Sequence, residues 1–281
     1  MRVLIVGTGL IGTSIALAMQ GAGHEVLLHD RSGEHLDVAV KLGAGRRVAP
    51  DDQPDLVVVA VPPGNVRSVI DQLGRQYVNA TFTDVSSVKT QPVADIETID
   101  AVRGRFVGGH PMAGRETSGP LGARADLFTD RPWILTPTPD VHPDRVALVR
   151  QLAEGCGAVV THMTAAEHDR AVALTSHTPQ LLASLMAGLI AKAPAADIQL
   201  SGQGLRDLTR IAASSPELWD DILSANATEV EPVLEAFSQR LESVREALRT
   251  GASLREMLHV GNAGRARIPA KHGGVVRDED V

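Results

Sequence analysis

Three groups of residues in this chain have types and spacings that could do chemistry. The first is Gly7-Thr8-Gly9-Leu10-Ile11-Gly12, a G-x-G-x-x-G pattern. Alone the pattern is weak. Here it follows a short apolar run and opens a helical pattern, and Asp30 ends a second apolar run 18 residues after Gly12. That is the context of a dinucleotide phosphate turn. Gly7 permits the tight turn, Gly9 lets the backbone approach a pyrophosphate, and Gly12 lets helix and strand pack closely. The helix N-terminus, from Thr8 through Leu10 and Ile11, offers free N–H groups and a partial positive charge. A carboxylate at Asp30 accepts hydrogen bonds from ribose hydroxyls and repels a 2′-phosphate, which favours NAD over NADP. Arg31 could stack on an adenine or meet a phosphate, or be a solvated surface residue. Val61 and Pro62, where a third apolar run closes, are further candidate cofactor contacts.

The second group centres on His110 in Gly108-Gly109-His110-Pro111-Met112-Ala113-Gly114. It is expected just past a strand end, in a held loop, on the edge of a sheet where ligands bind. Histidine is the natural base for oxidising an alcohol near neutral pH, although a lone histidine is more often structural. Asp84-Val85-Ser86-Ser87-Val88-Lys89 lies at another predicted strand end. Ser87 could hydrogen-bond a substrate hydroxyl or orient His110. Capping of a following helix is the competing role for Ser86 and Ser87, and Asp84 could simply fix the turn. The third group is Arg206 and Arg210, four residues apart and so on one helix face. Two guanidiniums there call for an anion between them, either an acid such as Asp207 or Glu217, or a substrate carboxylate bound by two parallel bonds. The remaining histidines, including His162, His168 and His177, have no metal-site spacing. For His168, in a helix's first turn, capping and domain packing are the default.

The elements that must carry these residues change character along the chain. Short apolar runs at 2–6, 24–30, 55–61, 81–85, 105–107, 133–136 and 158–161 read as strands, separated by helical stretches such as 10–20. Strands spaced by helices predict crossover units, a doubly wound parallel sheet with helices on both faces, and hence a Rossmann-type domain over 1–163. After 163 the strand signals stop. Thr164 with Glu167 is a capping box. It opens a helix towards 193 that Pro179 should kink or break. A helix fits 204–213, and Ser215-Pro216-Glu217 starts another. Val230, Leu234, Phe237, Leu241, Val244 and Leu248 alternate spacings of four and three, a heptad stripe ending at Gly251. Such a stripe packs within its own domain or against a second subunit. The second half, 164–260, therefore reads as all-helical, and 261–281, rich in Gly, Arg, Asp and Lys, as a flexible tail or linker.

Composition limits the function classes. A net charge of −7 argues against nucleic acid as a partner. Hydrophobic residues at 43% can bury a real core, and with aromatics at only 2% that core must be Val, Leu, Ile and Ala. The single cysteine, Cys156, excludes an intramolecular disulfide and fits a reducing cytosol. The start of the chain does not resemble a signal peptide, and no apolar run reaches the roughly 20 residues needed to span a bilayer. A cytoplasmic location without membrane partners is the expectation.

Taken together, GTGLIGTS at 7–14, DVSSVK at 84–89, GGHPMAGRETSG at 108–119, EHD at 167–169, SHTPQ at 176–180 and RDLTRIAASSPELW at 206–219 resemble the prephenate/arogenate dehydrogenase family. The resemblance implies a Rossmann domain followed by a helical dimerisation domain, a homodimer, and NAD as cofactor. It also implies a reaction, in which hydride leaves C4 of the prephenate ring and carbon dioxide departs to give 4-hydroxyphenylpyruvate. By the same match, a neutral His110 accepts the hydrogen bond of the C4 hydroxyl, with Ser87 beside it. Arg210 matches the arginine that binds a substrate carboxylate, and Ser176 and His177 match residues lining the pocket. Arg206 lies where the family often has another basic residue. Gln180 stands where some relatives have histidine, and Arg115 where relatives vary. The stretch GRARIPAKHGG at 264–274 resembles the linker that in some members leads to a regulatory ACT domain. This sequence stops there, which argues against tyrosine feedback through such a domain.

Three rival readings share parts of this pattern. Arogenate dehydrogenase differs only in the substrate's side chain. A β-hydroxyacid or imine reductase would rely on a helical lysine or aspartate, and of the four lysines only Lys192 lies in the long helix. An NAD-sensing binding protein would need a macromolecular partner.

Overall fold

The computed structural model describes residues 1–114 and 117–269. The first half alternates strand and helix: β1 (Arg2–Val6), α1 (Leu10–Gly21), β2 (Glu25–His29), α2 (Gly33–Lys41), β3 (Arg46–Arg47), β4 (Leu56–Val59), α3 (Pro63–Gln76), β5 (Thr81–Asp84), α4 (Thr90–Glu97), β6 (Phe106–Pro111), β7 (Pro132–Thr136), α5 (Pro143–Gly155) and β8 (Val159–His162). They form one eight-stranded sheet in the order β3-β2-β1-β4-β5-β6-β7-β8. The central apolar runs become strands because each buries both faces. Val3, Ile5, Leu56 and Val58 pack with Ile15 and Met19 of α1 and Val149 and Leu152 of α5. Leu4, Val6, Val57 and Val59 face the other way, onto Val66 and Ile70 of α3 and Val93 and Ile96 of α4. Alternate side chains of one strand thus fill two cores, as a doubly wound sheet requires. Cys156 lies in the first core, where burial pushes its thiol up to about 12.

Two features depart from the sequence-based expectation. The two-residue β3, paired with β2, went unseen because it has no apolar run. The sheet is also not wholly parallel, since β6 and β7 run antiparallel. Among the described residues, the link between them over 112–131 holds only a short turn of 3₁₀ helix at Pro120–Gly122 instead of a crossover helix. The same pairing extends β6 past its predicted end. Gly109 pairs with Leu135, His110 with Ile134 and Pro111 with Trp133. His110 therefore sits in a strand, not in a loop beyond one. Gly108 and Gly109 serve close packing there. A Cβ on Gly108 would lie 2.3 Å from Thr136 Oγ1, and one on Gly109 would lie 2.7 Å from the Asp84 carbonyl.

The second half is helical: α6 (Ala165–Val172), α7 (Thr178–Ile190), α8 (Ala195–Ile198), α9 (Gln203–Thr209), α10 (Pro216–Ala225), α11 (Ala227–Thr250) and α12 (Arg255–Ala266). The Thr164–Glu167 capping box opens α6. Pro179 cannot donate to the preceding turn, but the predicted break does not occur there, and residues 165–190 stay helical. Between α6 and α7 the chain widens into one π turn, Ala173–His177. Ser215 caps α10, accepting from Leu218 N–H at 3.3 Å. Gly251 ends α11 in the left-handed region at φ 75°. The expected flexible tail begins too early at 261, because α12 continues to Ala266. Its remainder from 270 on lies outside the described residues. Among the described residues no helix is long and apolar enough to cross a membrane.

The heptad stripe is only partly covered within one chain. Val230 is buried, but Phe237, Leu241 and Leu248 of α11 are exposed, as are Leu185 and Leu189 of α7. So much apolar surface on one half is what a protein interface presents.

Candidate active site

The glycine turn meets its steric demands in different ways at each position. Gly7 adopts φ 100°, and a Cβ there would lie 2.3 Å from the Ala60 carbonyl and 3.2 Å from Val61. A Cβ on Gly12 would lie 1.9 Å from the Gly7 carbonyl. Around Gly9, by contrast, there is open space within 4 Å. The first and third glycines close the turn against β4, and the second leaves room for something else. Helix α1 begins there with no side-chain cap and no acidic residue in its first turn. Its N–H groups of Leu10 and Ile11 are thus left for an anion. Pro62, exposed, precedes α3 at the end of β4, and Arg31 is exposed beyond β2.

Asp30 is held in place by this same turn. Its Oδ2 accepts from Thr8 N–H at 2.6 Å and Thr8 Oγ1–H at 2.9 Å, and its Oδ1 accepts from Ser32 N–H at 2.7 Å. Burial pulls its pKa up, but the hydrogen bonds from Thr8 and Ser32 outweigh that and keep it below the usual aspartate value. A fixed carboxylate beside an open phosphate turn suits a ribose with free hydroxyls. The residues present therefore fit a dinucleotide.

The second centre is built where β5 and β6 lie side by side. Asp84, fully buried, takes Gly109 N–H on Oδ1 at 3.0 Å and Ser86 N–H on Oδ2 at 3.0 Å. It also pairs with the fully buried Lys89 ammonium, which donates to the Gly109 carbonyl at 2.8 Å. The expectation that Asp84 fixes the turn was right but incomplete, because it also ties the turn to the strand bearing His110. Neither Ser86 nor Ser87 caps α4, whose N-cap is Lys89. Ser86 Oγ is buried without a partner, and half-buried Ser87 is left with its hydroxyl available.

His110 is buried, and its Nδ1 lies 2.8 Å from His168 Nε2. His168 Nδ1 in turn lies 2.7 Å from Asp169 Oδ1. The Asp169 carboxylate also accepts Lys89 N–H at 2.8 Å and Thr90 N–H at 2.7 Å. Among the described residues Nε2 of His110 has no hydrogen-bond partner. Burial, followed by His168, Lys89 and His177, holds the His110 pKa well below the usual histidine value, and Asp169 only partly opposes this. A neutral imidazole with a free nitrogen is a hydrogen-bond acceptor.

The π turn and the start of α7 complete this centre. His177 is buried, with Nδ1 3.0 Å from Asn226 Nδ2, and its ring meets Trp219 edge-on at 6.0 Å between centroids. Burial depresses its pKa to about 4. His177 Nε2, Thr178 Oγ1 and Gln180 Oε1 are all buried without partners. Three such atoms within four residues are costly unless a ligand satisfies them. Ser176 is half-buried in the same turn. Arg206 and Arg210 are exposed in the single chain, and Arg206 donates to the Ser201 carbonyl at 3.0 Å. The turn Arg210–Ala213 packs on α7, the helix that carries Gln180. Arg115 lies outside the described residues. A cleft of about 530 Å³ lined by Pro137, Val141 and Arg150 follows the end of antiparallel β7, so it opens at the opposite edge of the sheet.

Sequence reasoning singled out His110 and the glycine turn, gave His168 a capping or packing role by default, and assigned Asp169, Lys89 and Asn226 no role. Their partners are 49 to 80 residues away. The EHD triplet at 167–169 was the one signal available.

A doubly wound sheet with a glycine phosphate turn, joined to a helical half at a buried imidazole, defines a dinucleotide-dependent oxidoreductase. The model of the nucleotide-binding domain of prephenate dehydrogenase matches residues 15–162, and that of its dimerization domain matches 164–260. A probable prephenate dehydrogenase from Streptomyces niveus is 36% identical over 96% of this chain and 78% of its own. A cyclohexadienyl dehydrogenase from Zymomonas mobilis is 32% identical over 96% of both. The structure of prephenate dehydrogenase from A. aeolicus in complex with hydroxyphenyl propionate and NAD+ is similar with a TM-score of 0.86 at 32% identity, covering 95% of this chain and 98% of that one. The chain belongs to the prephenate dehydrogenase family.

The open space at Gly9 generates a direct test. Gly9→Val should leave the unfolding midpoint nearly unchanged, because the fold has room for the side chain. It should weaken NAD binding by roughly tenfold or more, since one lost phosphate approach is worth about 1.5–3 kcal/mol. Isothermal titration beside a denaturant melt separates the two effects.

Proposed function

We propose that this protein is an NAD-dependent prephenate dehydrogenase, which oxidises and decarboxylates prephenate to 4-hydroxyphenylpyruvate on the way to tyrosine. The observation that carries the reading is a buried, neutral His110 with a free Nε2, standing in a family whose members act on cyclohexadienyl acids. When bound, NAD takes up the hydride that leaves C4 of the ring. The turn Gly7–Gly12 would hold its pyrophosphate and Asp30 its adenine ribose, with Val61 and Pro62 alongside.

In this reading the chain's own task is to accept a proton and to hold the ring. His110 Nε2 accepts the C4 hydroxyl hydrogen bond and draws off its proton as the carbonyl forms. Ser87 binds the same hydroxyl. Loss of the ring carboxylate as carbon dioxide makes the ring aromatic, which drives the step. Arg210, with Arg206 behind it, would neutralise a substrate carboxylate. Ser176, His177 and Gln180 would line the pocket, the last two satisfying their orphaned polar atoms on the substrate. The reading places the enzyme in the cytoplasm. It is completed by a homodimer, in which the exposed stripe of α11 and the apolar face of α7 are covered by a second copy.

Four measurements check this. With NAD, NADH absorbance should rise with prephenate and much less with arogenate, and the reverse preference would identify an arogenate dehydrogenase. His110→Asn should lower kcat by about 10²–10⁴-fold while sparing NAD affinity. Protonation removes the acceptor on His110, so activity falls in acid. Because its pKa is depressed, that fall should begin only below the usual histidine pH of about 6.5. The double variant Leu241→Glu/Leu248→Glu should elute as a monomer in size-exclusion chromatography with light scattering. An unchanged dimer would remove α11 from the interface.

A further inference from the structure

The chain Asp169–His168–His110 has a fixed sense that can be worked out from its ends. Asp169 already accepts two backbone N–H groups, from Lys89 and Thr90. Burial raises its pKa, but the bonds from His168, Thr90 and Lys89 outweigh that, so it is an ionised acceptor. An ionised carboxylate cannot donate, so the His168 nitrogen 2.7 Å away must carry the proton on Nδ1. With that single proton on the ring, Nε2 of His168 is then a lone pair. The nitrogen it faces at 2.8 Å, His110 Nδ1, must be the donor. His110 Nε2 is left as the acceptor.

A second arm leaves the same residue in the opposite sense. The main-chain carbonyl of Asp169 can only accept, so the Asn226 atom 2.9 Å from it is the amide nitrogen. The same nitrogen lies 3.0 Å from His177 Nδ1, which must therefore be the lone pair. The proton of His177 is then on Nε2, the atom that is buried without a partner. The two imidazoles are thus held as opposite tautomers, His110 accepting and His177 donating.

We propose that His168, Asp169 and Asn226 are positioning residues, whose network fixes His110 as the Nδ1–H tautomer and His177 as the Nε2–H tautomer. The site is thereby matched to a ligand that offers a hydroxyl proton at one point and an oxygen acceptor at another. A keto or carboxylate oxygen of the substrate fits the second. For its consequence in turnover, the inference rests on the reading of His110 as proton acceptor in the reaction proposed above.

Histidine-selective ¹⁵N NMR on the whole enzyme reads the tautomers without substrate or activity, with peaks assigned from His110→Asn and His177→Asn. His110 should show a protonated Nδ1 and a bare Nε2, and His177 the reverse. In kinetics, His168→Leu should lower kcat by roughly 10²-fold with NAD affinity and prephenate KM little changed, because the His110 proton is no longer confined to Nδ1. His168→Gln places an amide oxygen where Nε2 stood, so it should recover much of kcat and keep the His110 tautomer. A proton on Nε2 of His110, or on Nδ1 of His177, in the unaltered enzyme would overturn the proposal. So would full kcat in His168→Leu. If the unaltered enzyme turned over neither cyclohexadienyl acid while the tautomers stood as stated, the reading of the reaction would fail and the network would remain.

Discussion

One carboxylate joins the two halves of this molecule. Asp169, in the first helix after the sheet, takes the main-chain N–H groups of Lys89 and Thr90, which open the helix after β5. It also takes the His168 ring, and its carbonyl takes the Asn226 side chain from the junction of α10 and α11. A buried anion needs such partners, because an ionised group removed from water is stable only when its lone pairs are used. Those partners come from both halves. The charge can therefore be satisfied only when the helical half is docked on the sheet, and docking in any other register would leave it stranded.

The same logic explains the second buried pair. Lys89 and Asp84 have fully buried side chains, and replacement of such a pair by apolar residues often leaves stability unchanged or higher. Their value lies in what they hold. Asp84 grips Gly109 N–H and Lys89 grips the Gly109 carbonyl, so both polar groups of the residue before His110 are fixed by one ion pair. Gly109 has no room for a side chain between Asp84, Thr83 and Trp133. A close-packed strand set in place by charge holds an imidazole more rigidly than a loop would.

What could be read from the sequence follows the range of each interaction. The capping box at Thr164, the Ser215 cap and the Gly251 stop depend on atoms three or four residues apart, and all three stand as the sequence predicts. The glycine turn and Asp30 were legible because one short crossover brings them together. The antiparallel β6–β7 pair was not, since neither strand's own residues encode its direction. His110 was misplaced by the same cause. Gly-Gly and Pro around a histidine resemble a loop locally, and only the partner strand makes them extended. Asn226 was invisible as a functional residue and His168 was left to packing by default, because each acts through a group 49 to 58 residues distant.

The distribution of cover over the fold makes a further point about the helical half. The sheet is wrapped on both faces within one chain, so its central strands β1 and β4 read as near-unbroken Val, Leu and Ile. Among the described residues, the helices after 178 leave much of their apolar surface uncovered. Leu189, Leu200 and Leu248 are more than two-thirds exposed. A 24-residue α11 with Val230 as its one buried residue would gain little from its own stripe. Its length and regular spacing make physical sense when the stripe is buried elsewhere. The turn carrying Arg210 packs on α7, which shares this uncovered apolar face. Whatever covers that face also steadies the turn that carries Arg210, and in the function proposed above this ties assembly to the site through packing.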